Sequence, residues 1–290
     1  MSISTTRSSG TSLRLLGVFA HPDDESFGAG GTLARYARSG VLVHVCTVTD
    51  GAAGQVITSS GAEAGTTPLA EVRRHELECA CARLGARLRT LNYRDSGMAG
   101  SADNLHPASL FQARLDDVVC DLVRVIRTVR PHVVITHELT GGYHHPDHVK
   151  VSRAVGFAWA AAADAGYPLE GLAAWAPSRL YHQVVPRRVI RRFVRRLLAR
   201  GQDPRHFGAN GDIDLTGLGT PDRAVHVCLD VRPWLPIKLA ASACHRSQGS
   251  GLHWPEFLGR RAMGFEHFVQ VQPPAARRHG CLFEGVGCGE

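Results

Sequence analysis

Two short stretches rich in histidine and aspartate stand more than a hundred residues apart in this 290-residue chain. Residues 21–25 have the sequence His-Pro-Asp-Asp-Glu, and residues 145–148 have the sequence His-Pro-Asp-His. Imidazole nitrogen and carboxylate oxygen are ligands that zinc prefers, and a catalytic zinc site uses three protein ligands and leaves one position open. His21, Asp24 and His148 supply such a set. The pattern therefore predicts a zinc site with room for water.

Other side chains of the two stretches are placed to move protons. In a loop, the two residues between His21 and Asp24 let both side chains turn toward one point while Asp23 projects elsewhere. A carboxylate there can accept a proton from water, because zinc lowers the pKa of its water to about 7. His145 precedes His148 by three residues and falls on the same side of a helix start. We expect Asp23 to be the general base, and His145 to protonate the leaving amine or stabilise the oxyanion.

Each stretch follows an apolar run that resembles a β-strand. Residues 15–20 precede the first stretch, and residues 133–137 lie shortly before the second. If both runs are parallel strands of one sheet, both loops leave at its carboxyl edge, where open α/β sheets bind their ligands. Strand-like and helix-like segments alternate over the first half of the chain, which is typical of a doubly wound sheet. The sequence predicts an α/β fold with a mostly parallel sheet and helices on both faces.

The individual elements follow from periodicity, glycines and prolines. We expect residues 1–12 to be disordered, residues 51–68 to form a loop near the site, and residues 13–290 to form one domain that residues 170–290 complete. Strands are predicted at residues 41–49, 88–91, 179–185 and 224–229, in addition to the two named above. Helices are predicted at residues 32–39, 71–84, 108–129, 149–163, 187–198 and 234–246.

Composition and charge narrow the class of protein. The chain is 44% hydrophobic and carries a net charge of +7, part of which lies in residues 187–198, where arginine pairs alternate with apolar pairs. That pattern predicts an amphipathic helix with a solvated basic face, or else a patch for a membrane surface or an anionic substrate. No apolar run reaches membrane-spanning length. The glycines at residues 28–31 lack the spacing of a dinucleotide-binding loop. We expect a cytoplasmic protein with no membrane insertion and no nucleic-acid partner.

Eight cysteines occur, and none form a Cys-x-x-Cys pair. We interpret them as buried free thiols rather than a disulfide frame or a cysteine-type zinc site. Most of the remaining histidines are interpreted as structural or surface residues, among them His44, His75, His132, His226 and His245.

The two stretches also carry a family resemblance. Residues 20–26, Ala-His-Pro-Asp-Asp-Glu-Ser, and residues 141–148, Gly-Gly-Tyr-His-His-Pro-Asp-His, occur in this order. The chain resembles the LmbE-like or PIG-L family of zinc-dependent N-deacetylases, strongly over residues 13–160 and loosely beyond. The resemblance implies a Rossmann-like fold, one Zn²⁺ per chain that other divalent metals can replace, and removal of an acyl group from an amino sugar.

A further segment is similar to one branch of that family. Residues 94–98, Arg-Asp-Ser-Gly-Met, resemble the actinobacterial branch of mycothiol-pathway deacetylases and conjugate amidases. The resemblance implies that Asp95 binds sugar hydroxyls, that Arg73 contacts the sugar or its attached group, and that Met98 lies at the substrate.

The same resemblance assigns roles around His145. Tyr143 would help His145 to stabilise the tetrahedral intermediate, and Asp147 would orient and charge His145. Pairing with a carboxylate favours an imidazolium, so we expect a raised pKa for His145.

These observations predict zinc-dependent hydrolysis of the N-acetyl group of an N-acetylglucosaminyl substrate, with release of acetate and a free amino sugar. Three alternatives stay open. The chain could deacetylate an aminoglycoside or glycopeptide intermediate of antibiotic biosynthesis, act as an amidase on a larger thiol conjugate, or bind sugar around a structural metal. A closed structural site would not need Asp23 and His145 left unbound, which argues against the last.

Overall fold

The computed structural model describes residues 12–56, 67–208, 211–249 and 263–286. Its centre is a seven-stranded sheet. The strands are β1 (Arg14–Phe19), β2 (Leu42–Thr49), β3 (Arg87–Tyr93), β4 (Val133–His137), β5 (Arg179–Val184), β6 (Val227–Asp230) and β7 (Phe265–Gln272). They lie in the order β3-β2-β1-β4-β5-β7-β6. The first five are parallel, whereas β7 runs antiparallel to β5 and β6. The predicted mostly parallel α/β sheet is confirmed.

Helices cover both faces of this sheet. They are α1 (Asp24–Phe27), α2 (Gly30–Arg38), α3 (Leu69–Leu84), α4 (Leu115–Val129), α5 (Gly141–His144), α6 (Pro146–Ala163), α7 (Arg187–Leu198) and α8 (Leu235–Ser242). One apolar cluster joins Leu33 of α2 and Leu77 of α3 to the sheet. A second cluster packs Leu122 of α4 and Val155 of α6 on the other face. This two-sided burial explains why β1 is apolar at nearly every position.

The arginine-rich helix α7 is amphipathic as expected. Ile190, Phe193 and Leu197 face inward and pack with Leu215 and Leu218, while most of the arginines are exposed. None of the helices within the described ranges is both long and apolar enough to cross a membrane.

Several predicted boundaries differ from the structure. The helix predicted at residues 149–163 begins at Pro146, and the strand predicted at residues 224–229 begins at Val227. The helix predicted at residues 108–129 begins only at Leu115, because Leu110 donates its backbone N–H to the carbonyl of Arg94 and holds the preceding segment beside that residue. The helix predicted at residues 234–246 ends at Ser242. Strand β7 was not predicted. Residues 1–11, and residues 57–66 of the predicted loop, lie outside the described residues.

The interpretation of all cysteines as free thiols is also wrong. Cys79 on α3 and Cys244 just after α8 form a disulfide, with their Cα atoms 5.9 Å apart. The two residues are 165 positions apart in sequence, so only the packing of α3 against α8 brings them together. The other cysteines that the structure describes are free: Cys46, Cys81, Cys120, Cys228 and Cys281.

Candidate active site

The two histidine- and aspartate-rich stretches meet at the carboxyl edge of the sheet. The first follows β1 and the second follows β4 by way of α5, and β1 and β4 are neighbouring parallel strands. The chain fills the sheet outward from β1 through β2 and β3, and then continues on the other side with β4. Such a reversal of strand order opens a crevice at the strand ends, which is where α/β proteins bind ligands.

Three potential metal-ligand atoms form a compact triangle in this crevice. His21 Nδ1 lies 3.1 Å from His148 Nε2 and 3.6 Å from Asp24 Oδ2. The third edge, between His148 Nε2 and Asp24 Oδ2, measures 3.4 Å. Zinc–ligand bonds of about 2.0–2.1 Å in tetrahedral geometry separate neighbouring ligands by about 3.3–3.4 Å. The triangle therefore fits a zinc ion, and its three residues are those that the sequence predicts.

His137, at the end of β4, also lies in this cluster. Its Nε2 is 3.5 Å from Asp24 Oδ2, and its ring stacks on His148 at 3.9 Å between centroids. The backbone N–H of Ala20 donates to the same Nε2 over 2.9 Å, so the lone pair there is already used. We place His137 behind the ligands rather than among them. Sequence reasoning missed it, although a histidine ending a strand before the second motif is a usable signal.

The far nitrogen of His21 faces two buried carboxylates. His21 Nε2 lies 3.4 Å from Asp95 Oδ1 and 3.3 Å from Asp147 Oδ2. Burial would lower the pKa of His21, but the charge of Asp95 and the hydrogen bonds that the ring donates to neighbouring carboxylates raise it well above the ordinary value. Carboxylates in this position fix the orientation of a metal-binding imidazole. Asp95, assigned to sugar by resemblance, thus contacts a candidate ligand here.

The expected pairing of the Asp147 carboxylate with His145 is not found. The backbone N–H of Asp147 donates to His145 Nδ1 over 3.2 Å, while its Oδ2 accepts from the Ser96 N–H over 2.9 Å and faces His21. Burial and the charges of His21 and His148 lower the pKa of His145, which contradicts the expected rise. Since Nδ1 is an acceptor, the proton of the neutral ring is on Nε2. His145 is therefore built to donate a hydrogen bond as a neutral group.

Asp23 is held from two sides. Its backbone has a φ of 129°, a strained value for a residue with a side chain, and its N–H donates to Glu25 Oε2 over 3.0 Å. Arg73 on α3 donates from Nη2 to Asp23 Oδ2 over 3.1 Å. Burial raises the pKa of Asp23 to about 6, against the opposing charge of Arg73. Strain at this position and a shifted pKa make Asp23 a candidate functional group.

Arg73 itself is buried and bound to protein groups. Its Nη1 donates to the carbonyl of Gly51 over 3.0 Å and lies 3.9 Å from Asp95 Oδ2. The guanidinium thus bridges the two aspartates, Asp23 and Asp95, whereas the resemblance implied a contact with substrate. Met98 is half-buried, and its carbonyl accepts hydrogen bonds from Ser101 and Asn104.

Tyr143 reaches the cluster from a tight turn. Gly141 and Gly142 both have a positive φ, which lets α5 bend back so that the Tyr143 ring lies 5.2 Å from that of His148. Burial and the nearby Asp24 raise the pKa of Tyr143, so its hydroxyl stays protonated and can donate. The predicted Tyr143 and His145 side chains therefore both lie beside the ligand triangle.

A cavity of about 400 Å³ opens onto this cluster. Asp23, Asp24, His148 and Tyr143 form its inner end. Arg73, Asp95 and Met98, the residues that the resemblance assigns to substrate, are not among the described residues that line it. The outer wall is mostly apolar and comes from the second half of the chain: Val184, Val185, Pro186, Val189, Ile213, Leu239, Met263 and Phe265.

A buried ion pair supports the inner end from below. His245 Nε2 lies 2.8 Å from Glu25 Oε1, and both side chains are fully buried. Burial would lower the pKa of His245, but Glu25 raises it above the ordinary value. Because Glu25 also accepts the N–H of Asp23, His245 acts on the strained loop through Glu25. From the sequence, His245 is expected only to be a structural or surface residue, and nothing local in the sequence links it to Glu25.

Comparison with known proteins shows the family of this chain. The family model of PIG-L, the GlcNAc-PI de-N-acetylase, matches residues 16–159. A 1D-myo-inositol 2-acetamido-2-deoxy-α-D-glucopyranoside deacetylase of Thermobispora bispora is 39% identical to the chain, covering 96% of it and 93% of the relative. The chain belongs to the PIG-L family. It is accordingly an enzyme that hydrolyses amides.

Solved structures of the same fold carry more than one chemistry. The N,N'-diacetylchitobiose deacetylase of Pyrococcus horikoshii has a TM-score of 0.62 and 22% identity, covering 90% of this chain and 84% of that one. The 4-carboxy-2-hydroxymuconate hydratase GalB of Pseudomonas putida has the same TM-score and 21% identity, covering 92% and 100%. The fold is therefore shared, and the reaction has to be argued from the site and from the PIG-L relatives.

Proposed function

We propose that the PIG-L chain described here hydrolyses the N-acetyl group of an N-acetylglucosaminyl substrate with the help of zinc. The products are acetate and a free amino sugar. The observation that carries the proposal is the triangle of His21, Asp24 and His148, with the Asp23 carboxylate beside it at the inner end of a cavity. The Thermobispora bispora relative acts on such a sugar by its name.

The donor set suits a divalent metal. His21, Asp24 and His148 would hold the ion and leave a position open for water and the amide. When bound, zinc supplies Lewis-acid polarisation of the amide carbonyl and lowers the pKa of water. Asp95 and Asp147 hold the His21 ring in place from behind.

The remaining steps are proton transfers by residues of the chain. Asp23, with its pKa of about 6, is mainly a carboxylate at neutral pH and accepts a proton from the attacking water. The oxygen–carbon bond forms, and the charge that develops on the carbonyl oxygen receives hydrogen bonds from Tyr143 and from the neutral His145 ring. The carbon–nitrogen bond then breaks, and the proton held by Asp23 passes to the leaving amine.

His145 is assigned to oxyanion stabilisation because its surroundings keep it neutral. Burial and the charges of His21 and His148 lower its pKa, so an imidazolium that protonates the amine is disfavoured. Because the backbone N–H of Asp147 donates to Nδ1 of His145, Nε2 of the neutral ring carries the proton and can donate. Of the two roles that the sequence leaves open for His145, this surrounding favours the second.

The test is acetate release. Purified enzyme should release acetate from methyl N-acetylglucosaminide and from N-acetylglucosaminyl inositol, and a chelator should abolish release until zinc is restored. The Asp23→Asn variant, purified in parallel, is the matched inactive control. Acetate release that persists after complete metal removal would refute metal dependence. Absence of amide hydrolysis on every N-acylated amino sugar would refute the function. A cytoplasmic location, and the absence of nucleic-acid and membrane partners, stay part of this proposal.

A further inference from the structure

The cavity that opens onto the candidate metal site has two chemically different ends. The inner end carries Asp23, Asp24, Tyr143 and His148, four of the groups that the proposed reaction uses. The outer wall presents aliphatic and aromatic side chains, among them Val185 after β5, Val189 in the first turn of α7, Ile213, and Phe265 at the start of β7. A volume of about 400 Å³ is within the range of about 300–1,000 Å³ that encloses a whole small ligand. The cavity is thus far larger than an acetyl group requires.

Part of this apolar wall is exposed to solvent. Val185 and Phe265 are each 36% exposed, which is high for large apolar side chains. When a ligand covers apolar surface that is in contact with water, the free energy of the complex is lowered. Both residues lie on the same cavity, so their exposure marks a binding surface instead of scattered surface apolar residues.

The wall is also held in position without a ligand. Arg187 donates its N–H to the carbonyl of Thr220 over 2.8 Å, and Thr220 donates its N–H back to the carbonyl of Val185 over 2.9 Å. The Thr220 hydroxyl donates to Glu138 Oε2 over 2.7 Å, which ties this segment to the residue that follows β4. The wall is therefore fixed relative to the metal-binding edge of the sheet. Because a preformed wall does not rearrange around its ligand, a group that matches it poorly should bind weakly.

Two charged residues at this cavity are already engaged with protein groups. Lys238 and Glu266, which also line the cavity, form a buried ion pair of 2.6 Å. Glu266 in addition accepts the N–H groups of Gly31 and Thr32 at the start of α2. A polyhydroxylated ring placed against Val185 and Val189 would lose hydrogen bonds to water and gain few in return.

We infer that the substrate of this enzyme carries an apolar chain, which binds along Val185, Val189, Ile213 and Phe265 while the scissile amide lies at the inner end. The inference rests on the proposed amide hydrolysis and adds the class of substrate. An apolar chain can belong to an N-acyl amino sugar in two ways. It is either the acyl group itself or a group attached to the anomeric oxygen, and the site chemistry is the same in both.

Two substrate series distinguish the sources. The first keeps a methyl glycoside and lengthens the acyl group from acetyl through butanoyl to hexanoyl. The second keeps N-acetyl and lengthens the glycoside from methyl through butyl to octyl. Burial of each methylene is expected to raise kcat/KM by about twofold to fourfold in the series that enters the wall, until the cavity is full. Binding of octyl N-acetylglucosaminide to the Asp23→Asn variant, measured by calorimetry, gives a readout that does not depend on turnover.

Matched variants locate the effect. Val185→Thr and Val189→Thr, combined, keep side-chain volume and add two hydroxyls to the wall, so the gain per methylene should fall by about half or more. Val194→Thr is the control. Val194 lies on α7 like Val189, but it packs against the apolar cluster around Phe193 and does not line the cavity. This variant should leave the chain-length dependence unchanged. Val194→Thr should hydrolyse the methyl glycoside of N-acetylglucosamine at the wild-type rate.

The outcomes separate the inference from the proposed function. A chain-length gain in either series that the double variant reduces supports the apolar site and identifies its source. Acetate release that is equal along both series would overturn the inference while leaving the deacetylase function intact. Hydrolysis of no member of either series would overturn the function itself. A gain that survives in the double variant would place the apolar chain elsewhere and overturn the assigned residues.

Discussion

Arg73 donates a hydrogen bond of 3.1 Å to the carboxylate of Asp23, and the guanidinium is buried. Two effects oppose each other at this pair. Burial raises the pKa of the Asp23 carboxyl, and the positive charge of Arg73 limits the rise, with a resulting pKa of about 6. The pair therefore gives a base that is ionised at neutral pH but still basic enough to accept a proton.

Removing the Arg73 charge should move the pH profile. In Arg73→Met, the pKa of Asp23 should rise by about 1 or more, so the acidic limb of kcat moves from about pH 6 toward neutral. Activity should fall more at pH 6 than at pH 8, because the base is lost first where it becomes protonated. Arg73→Lys, which retains a charge, should shift the limb less. A rise in KM with an unmoved limb would instead support the substrate contact that the family resemblance implies.

The metal ligands can be separated from the base by metal analysis. His21→Ala and His148→Ala should lose zinc on purification, since each removes a corner of the ligand triangle. Asp23→Asn should keep zinc and lose turnover by about 10²-fold or more. His137→Gln serves as the control, because its Nε2 already accepts the Ala20 N–H. Full zinc occupancy in His148→Ala would contradict the proposed ligand set.

Asp95 tests the role of the two carboxylates that contact His21 Nε2. Asp95→Asn removes a charge that lies 3.4 Å from His21 Nε2, and loss of such a partner typically weakens metal binding by about 10–100-fold. The measurement is zinc affinity by competition with a chromogenic chelator. Unchanged zinc affinity together with a higher KM would return Asp95 to the sugar-binding role that the resemblance implies.

His145 should act without titrating near neutral pH. Since its pKa is lowered, His145→Ala should reduce kcat by about 10²–10³-fold, as for a lost oxyanion donor, at every pH between 6 and 9. His145→Gln, which keeps an N–H donor, should recover part of the rate. If the alkaline limb of the profile disappeared only in His145→Ala, His145 would instead act as an imidazolium that protonates the leaving amine. The readout is the full pH profile of kcat for the three proteins.

Much of the inner site could be predicted because its residues lie in two local motifs after apolar strands. His21, Asp24 and His148 needed only the inference that parallel strands end at one edge, and the structure does bring these three side chains together. The expected partner of His145 was wrong because spacing along a helix start does not say which atom of Asp147 faces the ring. There the backbone N–H, not the carboxylate, reaches His145.

The other features depend on contacts between distant segments. The Cys79–Cys244 disulfide joins residues 165 positions apart, and the Glu25–His245 pair joins residues 220 positions apart. Neither leaves a periodic or local signal. Strand β7 supplies Glu266 and Phe265 to the cavity, and it pairs with strands of the weakly patterned second half of the chain. The apolar wall therefore became visible only with the fold.

The Glu25–His245 pair yields a prediction about stability. Both side chains are fully buried, and His245 Nε2 lies 2.8 Å from Glu25 Oε1. His245→Phe leaves a buried carboxylate without its partner, which should lower the free energy of unfolding by about 3–5 kcal/mol. The double variant Glu25→Gln with His245→Phe should lose much less, because no charge is left uncompensated. Urea unfolding of the wild type, both single variants and the double variant gives the coupling energy.

The pH dependence of this coupling has a definite sign. The pKa of His245 is raised in the folded enzyme, so its stabilisation is fully present below the unfolded value of about 6.5 and is lost as pH rises through the folded value. The surface pair Arg74–Glu78, with both side chains about half exposed, is the matched control. Its coupling energy should be at most about 0.5 kcal/mol both below and above the pKa of His245. A Glu25–His245 coupling no larger than that of the control, or one that grows above neutral pH, would show that His245 does not hold the Asp23 loop through a charged pair.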